Sequence, residues 1–377
     1  MIYWDHNSTT PCAPEVVSAM KPFWFEEFGN PASSHMSGRK AAGAVTAARA
    51  QVASLLHCRA GEVIFTSGAT ESNNMVFLGL LLSEKSEKRN VVTTAIEHKS
   101  VLEPANFLTK NGFEVVYLPV TRDGVVDLQA ARSLISSETV LVSIQAANNE
   151  IGTLQPVAEL ANIAHAAGAF FHTDAAQALG KIPVDLDSWG CDFASFSSHK
   201  LYGPKGVGAL FVRGGSRRWP WPYPLLGGGQ EGGLRPGTSN VPAIVGFGEA
   251  CRLASNYVAD MPRLQKLTNL FIENFKVHFP ECIIHAQSAL RLPGTISIAF
   301  PGIPSDVLMA NCPDYCFSLG SACSAGAVGP SHVLQQIISD TRVLESTVRI
   351  SLGKDSELKD LDGFTKTLKQ LANSNIM

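Results

Sequence analysis

The stretch GAFFHTDAAQALGKIPVDLDSWGCDFASFSSHK, residues 168–200, decides the fold class. It contains two runs of strand length, GAFFH and CDFASF, and each run stops abruptly at a polar motif, TDAAQ or SSHK. Upstream, EVIF runs in the same way into TSGATESNN, NVVTTAI into EHKS, and TVLVSIQA into ANNEIG. Helix-like segments such as PVAELANIAHAAG lie between several of these runs. Strands that alternate with helices predict an α/β domain with a largely parallel sheet.

The positions of these five polar motifs predict where a ligand would bind. In an open parallel sheet, ligands bind in the crevice beyond the carboxyl ends of the strands. Each motif directly follows an apolar run. We therefore expect all five motifs to face one crevice, although they lie far apart in the chain.

The character of the sequence changes near Ala250. A long helical stretch leads into MPRLQKLTNLFIENFKVHF, then into short strands such as GTISIAF and a C-terminal helix. We interpret this as a second, smaller α+β domain. The predicted division is a large domain of residues 13–254 and a small domain of residues 1–12 and 255–377. The small domain would carry the loop of small residues around Cys323.

The composition favours an ordinary globular protein. Of 377 residues, 45% are hydrophobic and 17% are charged, and the net charge of −3 gives no reason to expect nucleic acid or a membrane surface as a partner. The N-terminus lacks the basic and then apolar pattern of a signal peptide, and no apolar run is long enough to span a bilayer. Eight cysteines without a small-domain framework favour reduced thiols. We therefore expect a soluble cytoplasmic protein.

Two of the motifs suit a phosphorylated cofactor. In FTSGATESNN, backbone N–H groups at a helix start and the hydroxyls of Ser67 and Thr70 could hold a phosphate, although such turns are also ordinary helix caps. Asp174 directly follows an apolar run, where a carboxylate is costly unless it is paired. A pyridinium nitrogen would be such a partner, and a helix N-cap is the simpler alternative.

Other motifs carry reactive side chains. Lys200 follows the next strand and could form a Schiff base with an aldehyde cofactor, although most lysines are simply solvated. His98 could stack on a cofactor ring or move protons, and Asn149 could bond a phenolic oxygen. Cys323 lies in SLGSACSAGAVGPSH, where no bulky neighbour would bury its thiol. Arg349 by itself could be an ordinary arginine at the end of a strand.

Nine motifs occur in the order and rough spacing of one enzyme family: SGATESNN, EHKS, NNEIGT, HTDAAQALGK, SSHKLYGPKGVGAL, LRPGTSN, RLPGTISIAF, SACSAG and VRISLG. The sequence resembles the cysteine desulfurases of the NifS/IscS kind, which are pyridoxal-phosphate enzymes of fold-type I within class V of the aminotransferase superfamily. The resemblance extends from DHNSTTP to VRISLG. It implies a large domain with a mostly parallel seven-stranded sheet and a smaller α+β domain.

The resemblance also implies a role for individual residues around pyridoxal 5'-phosphate. Lys200 would bind the cofactor as a Schiff base, Asp174 would pair with the pyridine nitrogen, and His98 would stack on the ring. The resemblance assigns contacts with the ring oxygen to Asn149 and Gln177, contacts with the phosphate to Thr70, Ser197 and His199, and a contact with the phosphate in the neighbouring subunit of a homodimer to Thr238. Arg349 would bind the carboxylate of the substrate, with Asn149 nearby.

The implied reaction converts L-cysteine to L-alanine. Lys200 would move the α-proton, and the Cys323 thiolate would attack the γ-sulfur and become a persulfide. A loop of small residues would let Cys323 travel to an acceptor protein, which the sequence does not identify. Iron–sulfur cluster assembly, tRNA thiolation and DNA sulfur modification are all served by similar enzymes.

Alternatives of other classes stay open. A selenocysteine lyase, or another class-V lyase or aminotransferase, would not depend on Cys323, and a sulfur-carrier scaffold would tolerate loss of Lys200. His6 departs from the residues more often found after the first aspartate of this family. Cys312 and Cys316 precede Cys323, and His332 follows it, but the paired C-x-x-C spacing of a zinc site is missing, so we predict no metal site. We expect Cys312 and Cys316 to be small buried residues on a strand.

Overall fold

The computed structural model describes residues 1–83, 89–319 and 331–373. Its strands are β1 (Ile2–Tyr3), β2 (Val63–Thr66), β3 (Asn90–Thr94), β4 (Glu114–Leu118), β5 (Thr139–Ser143), β6 (Phe170–Asp174), β7 (Phe193–Ser197), β8 (Gly208–Val212), β9 (Ile283–Ile284), β10 (Thr295–Ala299), β11 (Tyr315–Cys316), β12 (Ser318–Leu319) and β13 (Thr347–Ser351). Its helices are α1 (Pro14–Met20), α2 (Pro22–Phe25), α3 (Met36–Leu55), α4 (Ala69–Leu81), α5 (Lys99–Lys110), α6 (Leu128–Leu134), α7 (Val157–Ala166), α8 (Leu186–Trp189), α9 (Val241–Ala259), α10 (Met261–His278), α11 (Ser305–Asn311), α12 (His332–Ile337), α13 (Thr341–Glu345) and α14 (Leu361–Asn373).

Strands β2 to β8 form the central sheet, in the order β2-β8-β7-β6-β5-β3-β4. Strand β8 pairs antiparallel with β2 and β7, and the other neighbouring pairs of this sheet are parallel. The predicted α/β class and the mostly parallel seven-stranded sheet are therefore confirmed.

Helices cover both faces of the central sheet. In β2, Val63 and Phe65 face a core that includes α1, α3, α7 and α9, whereas Ile64 faces a second core with α4 and α5. Strands covered on both faces must be apolar on both sides, which explains the continuous apolar runs in the sequence. Helices α3 and α9 approach closely at Gly248, where a Cβ atom would lie 2.6 Å from the Cα of Ala48.

A second, antiparallel sheet has the order β12-β13-β10-β9. It packs with α10 and α14 around an aromatic core. Trp4 lies in the middle of this core, with ring centroids 5.4 Å from Phe271, 4.9 Å from Tyr315 and 5.2 Å from Phe364. The adjoining strand β1 pairs in parallel with β11, so the first residues of the chain pack with its last third.

The domain limits stay a prediction. Residues 1–12 supply Trp4 to the core of the second sheet. The predicted limit between 254 and 255 falls inside α9, which continues to Ala259. Across the described ranges, no helix is both long and apolar enough to cross a membrane.

The two cysteines before Cys323 differ from our expectation in part. Cys312 is buried as predicted, but it follows the end of α11 and does not lie on a strand. Cys316 does lie on a strand, β11, and is only half-buried because β11 forms a two-stranded pair at the side of the core. His6 is buried against Gly353, where a Cβ atom would lie 2.3 Å from the imidazole ring, and this close packing gives His6 a structural explanation.

Candidate active site

A cavity of about 780 Å³ lies beyond the carboxyl ends of the parallel strands. The segments after β3, β5, β6 and β7 line it together with the start of α4, and the second sheet contributes from the opposite side. The predicted site residues in this lining are Thr70, His98, Asn149, Asp174, Gln177, Ser197, His199, Lys200 and Arg349.

Two predicted residues are not in this lining. Thr238 lines a separate cavity of about 170 Å³. Ser67 and Gly206 line both cavities, so the two cavities are neighbours. Cys323 lies outside the described residues.

Lys200 is held in the turn that directly follows β7. Its Nζ donates hydrogen bonds to the backbone carbonyls of Asn7 at 2.6 Å and Ser8 at 2.8 Å. Burial, together with the charge of Arg349, lowers the pKa of Lys200 to about 8, against the opposing effect of Asp174. At pH 7 about a tenth of such a lysine is the free amine, which is the form that attacks an aldehyde.

Asp174 ends β6 and is 7% exposed. Its Oδ2 accepts a hydrogen bond from Nδ2 of Asn73 at 2.7 Å, and its Oδ1 accepts one from the backbone N–H of Ala176 at 3.0 Å. Among the described residues, no cationic side chain lies within ion-pair distance of this carboxylate. Asp174 is thus a nearly buried acid that neutral donors hold at the cavity wall, where a cationic ligand atom would stabilise it.

His98 is the N-cap residue of α5. Its Nδ1 accepts a hydrogen bond from the backbone N–H of Ser100 at 3.1 Å and lies 2.8 Å from Oγ of the same serine. His98 is an exposed residue, and it lines the cavity. Desolvation lowers the pKa of His98, which favours the neutral ring.

The start of α4 forms a pocket for an anion. Gly68 precedes the helix with φ of +153°, and a Cβ atom there would lie 3.2 Å from Oγ of Ser197. The Ser197 hydroxyl accepts a hydrogen bond from the backbone N–H of Ala69 at 3.4 Å. Thr70 follows in the first turn and lines the cavity. Free N–H groups at the start of a 13-residue helix, with two hydroxyls beside them, suit a phosphate.

His199 lies beside this anion pocket. Its Nδ1 is 3.1 Å from Oγ1 of Thr9. Burial lowers the pKa of His199 to about 4, and the charges of Lys200 and Lys205 act in the same direction. His199 is therefore a neutral ring with one N–H to donate.

Asn7, which is buried, and Lys181, which is half-buried, are contacts of the site that the sequence alone did not single out. Lys181 Nζ donates to Oδ1 of Asn7 and to Oε1 of Gln177, both at 2.7 Å. Gln177 Nε2 donates to the Asn7 carbonyl at 2.8 Å. Since a lysine can only donate, these bonds fix the Gln177 amide with its NH₂ group free to make one further bond. Both residues lie within motifs of the resemblance, DHNSTTP and HTDAAQALGK, but their contact is tertiary.

Arg349 projects from β13 of the second sheet and is 7% exposed. Its Nη2 lies 2.6 Å from Oδ1 of Asp5 and 2.7 Å from the hydroxyl oxygens of both Ser8 and Ser318, so three acceptors share its two protons. Its Nη1 donates to the Asn149 carbonyl at 3.0 Å. Its buried Nε has no partner among the described residues. This unused N–H donor fits a carboxylate ligand.

Glu97 and His332 brace the cavity on the side of α12. The Glu97 carboxylate is fully buried and accepts from the backbone N–H of Gln145 at 2.9 Å and from the Thr94 hydroxyl at 2.7 Å. Burial raises the pKa of Glu97 to about 8. His332 Nε2 donates to the Glu97 backbone carbonyl at 2.9 Å. These bonds join the ends of β3 and β5 to the start of α12.

Comparisons with known proteins agree with this geometry. The family model for class-V aminotransferases matches residues 2–364. A cysteine desulfurase IscS from Dictyoglomus turgidum is 40% identical over 374 residues, which cover 98% of this chain and 94% of that protein.

Solved structures give the same result. A NifS-like protein has a TM-score of 0.91 at 36% identity, and the match covers 99% of each chain. SspA in complex with cysteine has a TM-score of 0.83 at 36% identity, with 93% of this chain and 99% of that chain covered. The chain therefore belongs to the class-V aminotransferase family and, within it, to the cysteine desulfurases.

Proposed function

We propose that this desulfurase uses pyridoxal 5'-phosphate to convert L-cysteine to L-alanine and that Cys323 takes up the sulfur as a persulfide. The observation that carries the proposal is the joint placement of Lys200, Asp174 and the α4 start around one cavity of about 780 Å³. An amine, a nearly buried carboxylate and an anion pocket are the three groups that an aldehyde, a pyridine nitrogen and a phosphate would each require.

The residues present fit this cofactor. Asp174 has neutral donors as its described partners and would pair with a pyridinium nitrogen. Gln177 offers an N–H group to a ring oxygen, with Asn149 on the same wall. Thr70, Ser197 and His199 would hold the phosphate. When bound, the cofactor supplies an electron sink that stabilises negative charge on the α-carbon of an amino acid.

Lys200 would act as the base for the α-proton. Its pKa of about 8 lets Nζ accept a proton and release it again near neutral pH. The Asn7 and Ser8 carbonyls hold Nζ in place at 2.6 and 2.8 Å. The same carbonyls would stabilise the protonated amine after Nζ has taken up the α-proton.

Arg349 would orient the substrate. Its buried Nε–H has no partner among the described residues and would be available to the carboxylate of a substrate, and the SspA structure in complex with cysteine supports an amino acid of this kind as the substrate. Asp5 at 2.6 Å compensates part of the guanidinium charge and fixes its plane. A fixed plane gives orientation as well as affinity.

The sulfur transfer at Cys323 balances without an external oxidant. The Cys323 thiolate would attack the γ-sulfur of the substrate, so that an S–S bond forms while the carbon–sulfur bond breaks. The bonding electrons stay with the β-carbon, which takes up one proton to become the methyl group of alanine. The thiol of Cys323 is thereby oxidised to the persulfide level, and the substrate carbon is reduced.

The assembly and the pathway are part of the same proposal. Trp24, Phe25 and Phe28 are 62%, 57% and 73% exposed, and a homodimer would cover such an apolar surface and bring Thr238 to the partner's cofactor. We also propose the division into domains at 12/13 and 254/255, a cytoplasmic location, and transfer of sulfur from Cys323 to an acceptor protein. The IscS names among the relatives favour iron–sulfur cluster assembly as the use of that sulfur.

The test is a parallel assay of alanine and sulfide from L-cysteine with a reductant present. Wild type should form both products in equal amounts. Cys323→Ala should bind the cofactor with an unchanged absorbance spectrum and form neither product at more than about a thousandth of the wild-type rate. Cys282→Ala, at a half-buried cysteine of the second domain, is the matched control and should behave as wild type.

Three outcomes would contradict the proposal at different points. Full turnover by Cys323→Ala would favour a lyase or aminotransferase that does not use this thiol. A much higher rate with selenocysteine, again without need of Cys323, would favour a selenocysteine lyase. A protein that cannot be reconstituted with pyridoxal phosphate would exclude the cofactor.

A further inference from the structure

We infer that Asn73 and Ser100 hold His98 as a neutral ring with its proton on Nε2, so that His98 offers the cavity a hydrogen-bond donor and not a base. His98 had two possible roles, stacking on a ring or moving protons, and the hydrogen-bond directions decide between them. The tautomer follows from the described residues alone, whereas its consequence for the reaction rests on the proposed function.

The chain of bonds begins at Asp174. Its carboxylate can only accept, so the atom of Asn73 that lies 2.7 Å from Oδ2 must be the NH₂ nitrogen. Asn73 is fully buried in α4, and its Oδ1 has no partner among the described residues. Asp174 thus determines the orientation of the Asn73 amide, because the opposite orientation would place two acceptor oxygens 2.7 Å apart.

The second step determines the hydrogen-bond role of the Ser100 hydroxyl. The same Nδ2 of Asn73 lies 2.8 Å from Oγ of Ser100, so it donates its other proton there. The Ser100 hydroxyl is therefore an acceptor towards Asn73. Its single proton is left for its other neighbour, Nδ1 of His98 at 2.8 Å.

The third step fixes the ring. Nδ1 of His98 faces two donors, the Ser100 hydroxyl at 2.8 Å and the Ser100 backbone N–H at 3.1 Å. A nitrogen that accepts from two donors carries no proton, so the proton of the neutral ring must be on Nε2. Nε2 has no hydrogen-bond partner in the part of the chain that the structure describes, and the ring lines the cavity.

The same contacts at Nδ1 disfavour protonation of the His98 ring. Adding a proton to His98 would place an N–H at Nδ1 against two other donors. The Ser100 hydroxyl cannot turn to accept from Nδ1, because it already accepts a hydrogen bond from Asn73. The charged and titratable groups that act on the ring are Asp174 and Glu150, which favour protonation, and Lys200 and His332, which oppose it.

The consequence separates the roles of two residues in the proposed reaction. Nε2 of His98 already carries its proton, so it cannot take the α-proton, and Lys200 is left to do so. His98 would instead lie against the ring of the cofactor and donate one hydrogen bond to a polar atom of the substrate. Asn73 and Ser100 are positioning residues because they act through His98.

The test is nitrogen NMR on the holoenzyme labelled with ¹⁵N-histidine, repeated on the apoprotein. The His98 signals are assigned by their loss in His98→Gln. We expect wild-type His98 to show a protonated Nε2 and a bare Nδ1 across the neutral range, with a pKa below its usual value. A protonated Nδ1 in wild type would overturn the inference without need of any variant.

Two variants test the chain of hydrogen bonds from Asn73 through Ser100 to His98, which we call the relay. Asn73→Ala frees the Ser100 hydroxyl to accept from Nδ1, so the pKa of His98 should rise by about one unit, a tenfold change in proton affinity. Ser100→Ala should raise it by a similar amount, and the double variant should show no further rise because both changes break the same chain. Asn74→Ala is the control, since Asn74 follows in the same helix and bonds to the Thr70 carbonyl.

The outcomes are distinct from those of the sulfur assay. An unchanged His98 pKa in both variants, or additive shifts in the double variant, would overturn the relay even if the enzyme is fully active. Expected shifts in a protein that makes no alanine would support the relay and contradict the proposed function. A circular dichroism spectrum equal to that of wild type confirms that each variant is folded.

Discussion

The two sheets supply the cavity in different ways. The central sheet contributes residues that come directly after its strands, such as His98 after β3, Asp174 at the end of β6 and Lys200 after β7. The second sheet contributes from within its strands, and Arg349 is the third of five residues in β13. The first sheet presents an edge to the cavity, and the second presents a face.

This difference predicts that the catalytic chemistry and the recognition of the substrate are carried by different sheets. Parallel strand ends bring loops and helix starts together, and these provide an amine, a carboxylate and an anion pocket. An antiparallel face provides a rigid wall, in which Arg349 is fixed by Asp5 and Ser318. We therefore expect changes on the edge to affect the catalytic rate and changes on the face to affect substrate binding or stability.

The largest effect should come from Lys200→Ala on the edge. Loss of the amine removes both the cofactor attachment and the base, so turnover should fall by roughly 10⁴-fold while the fold is kept. The absorbance of the bound cofactor should change, which separates this variant from those on the face. A Lys200→Ala enzyme with more than a tenth of the wild-type rate would contradict the assignment of catalysis to the edge of the central sheet.

Trp4→Ala should have the largest effect on stability, through the aromatic core against which the second sheet packs. Trp4 is fully buried among Phe271, Tyr315 and Phe364, so its loss should lower the free energy of unfolding by about 3–5 kcal/mol. Val277→Ala is the control, because Val277 is 73% exposed in the same region. Denaturant unfolding measures both. Equal midpoints for the two variants would show that the aromatic core does not stabilise the second sheet.

Arg349→Lys should raise KM more than it lowers kcat. Lysine keeps the charge but loses the planar fork, so we expect kcat/KM to fall about a hundredfold. The spectrum of the bound cofactor should stay as in wild type. Arg342→Lys, at a side chain that is 87% exposed, is the control. A fall in kcat alone would place Arg349 with the edge residues and not with recognition.

The rate of cofactor attachment should depend on pH with a midpoint near 8. Only the free amine of Lys200 attacks an aldehyde, so the rate should rise tenfold per unit below the pKa of about 8 and level off above it. Stopped-flow absorbance of apoprotein mixed with pyridoxal phosphate gives the profile. A rate that still rises tenfold per unit at pH 9.5 would show that burial does not lower this pKa.

The smallest effect should come from Lys181→Met. Without Lys181 the Gln177 amide can reverse, so we expect cofactor to dissociate about tenfold faster, as one hydrogen bond is lost. Gln177→Leu should speed cofactor dissociation by a similar factor, and the double variant should show no further increase in this rate. Additive losses would show that Lys181 acts on the site by another route.

Sequence reasoning found the edge more readily than the face. Each edge residue follows an apolar run that stops abruptly, so the strand order was not needed to group His98, Asp174 and Lys200. Arg349 gave no comparable signal, because a residue inside a strand points to one of two faces and the sequence does not say which meets the cavity. Its role came from the resemblance and stays a prediction.

Other features depended on packing that no local pattern contains. Asn73 lies in a helix, and its sequence neighbours do not distinguish it from an ordinary polar residue. Its role depends on its contacts with Asp174 and Ser100, which only the fold brings together. Lys181 presents the same difficulty, since one of its two acceptors, Asn7, comes from a distant part of the chain, whereas Gln177 lies only four residues away. The antiparallel direction of β8 was also not evident, because its five residues are apolar like those of its parallel neighbours.

The contact between Asp5 and Arg349 joins residues that are 344 positions apart in the chain. The backbone N–H of Asn7 donates to the Ser351 hydroxyl over the same separation, and the Asn7 carbonyl in turn holds Lys200. Contacts of such long sequence separation form late in folding, because the entropy of closing the loop must be overcome first. The central sheet can therefore assemble on a ribosome before β13 is made, but Lys200 reaches its final position only once both ends of the chain have met.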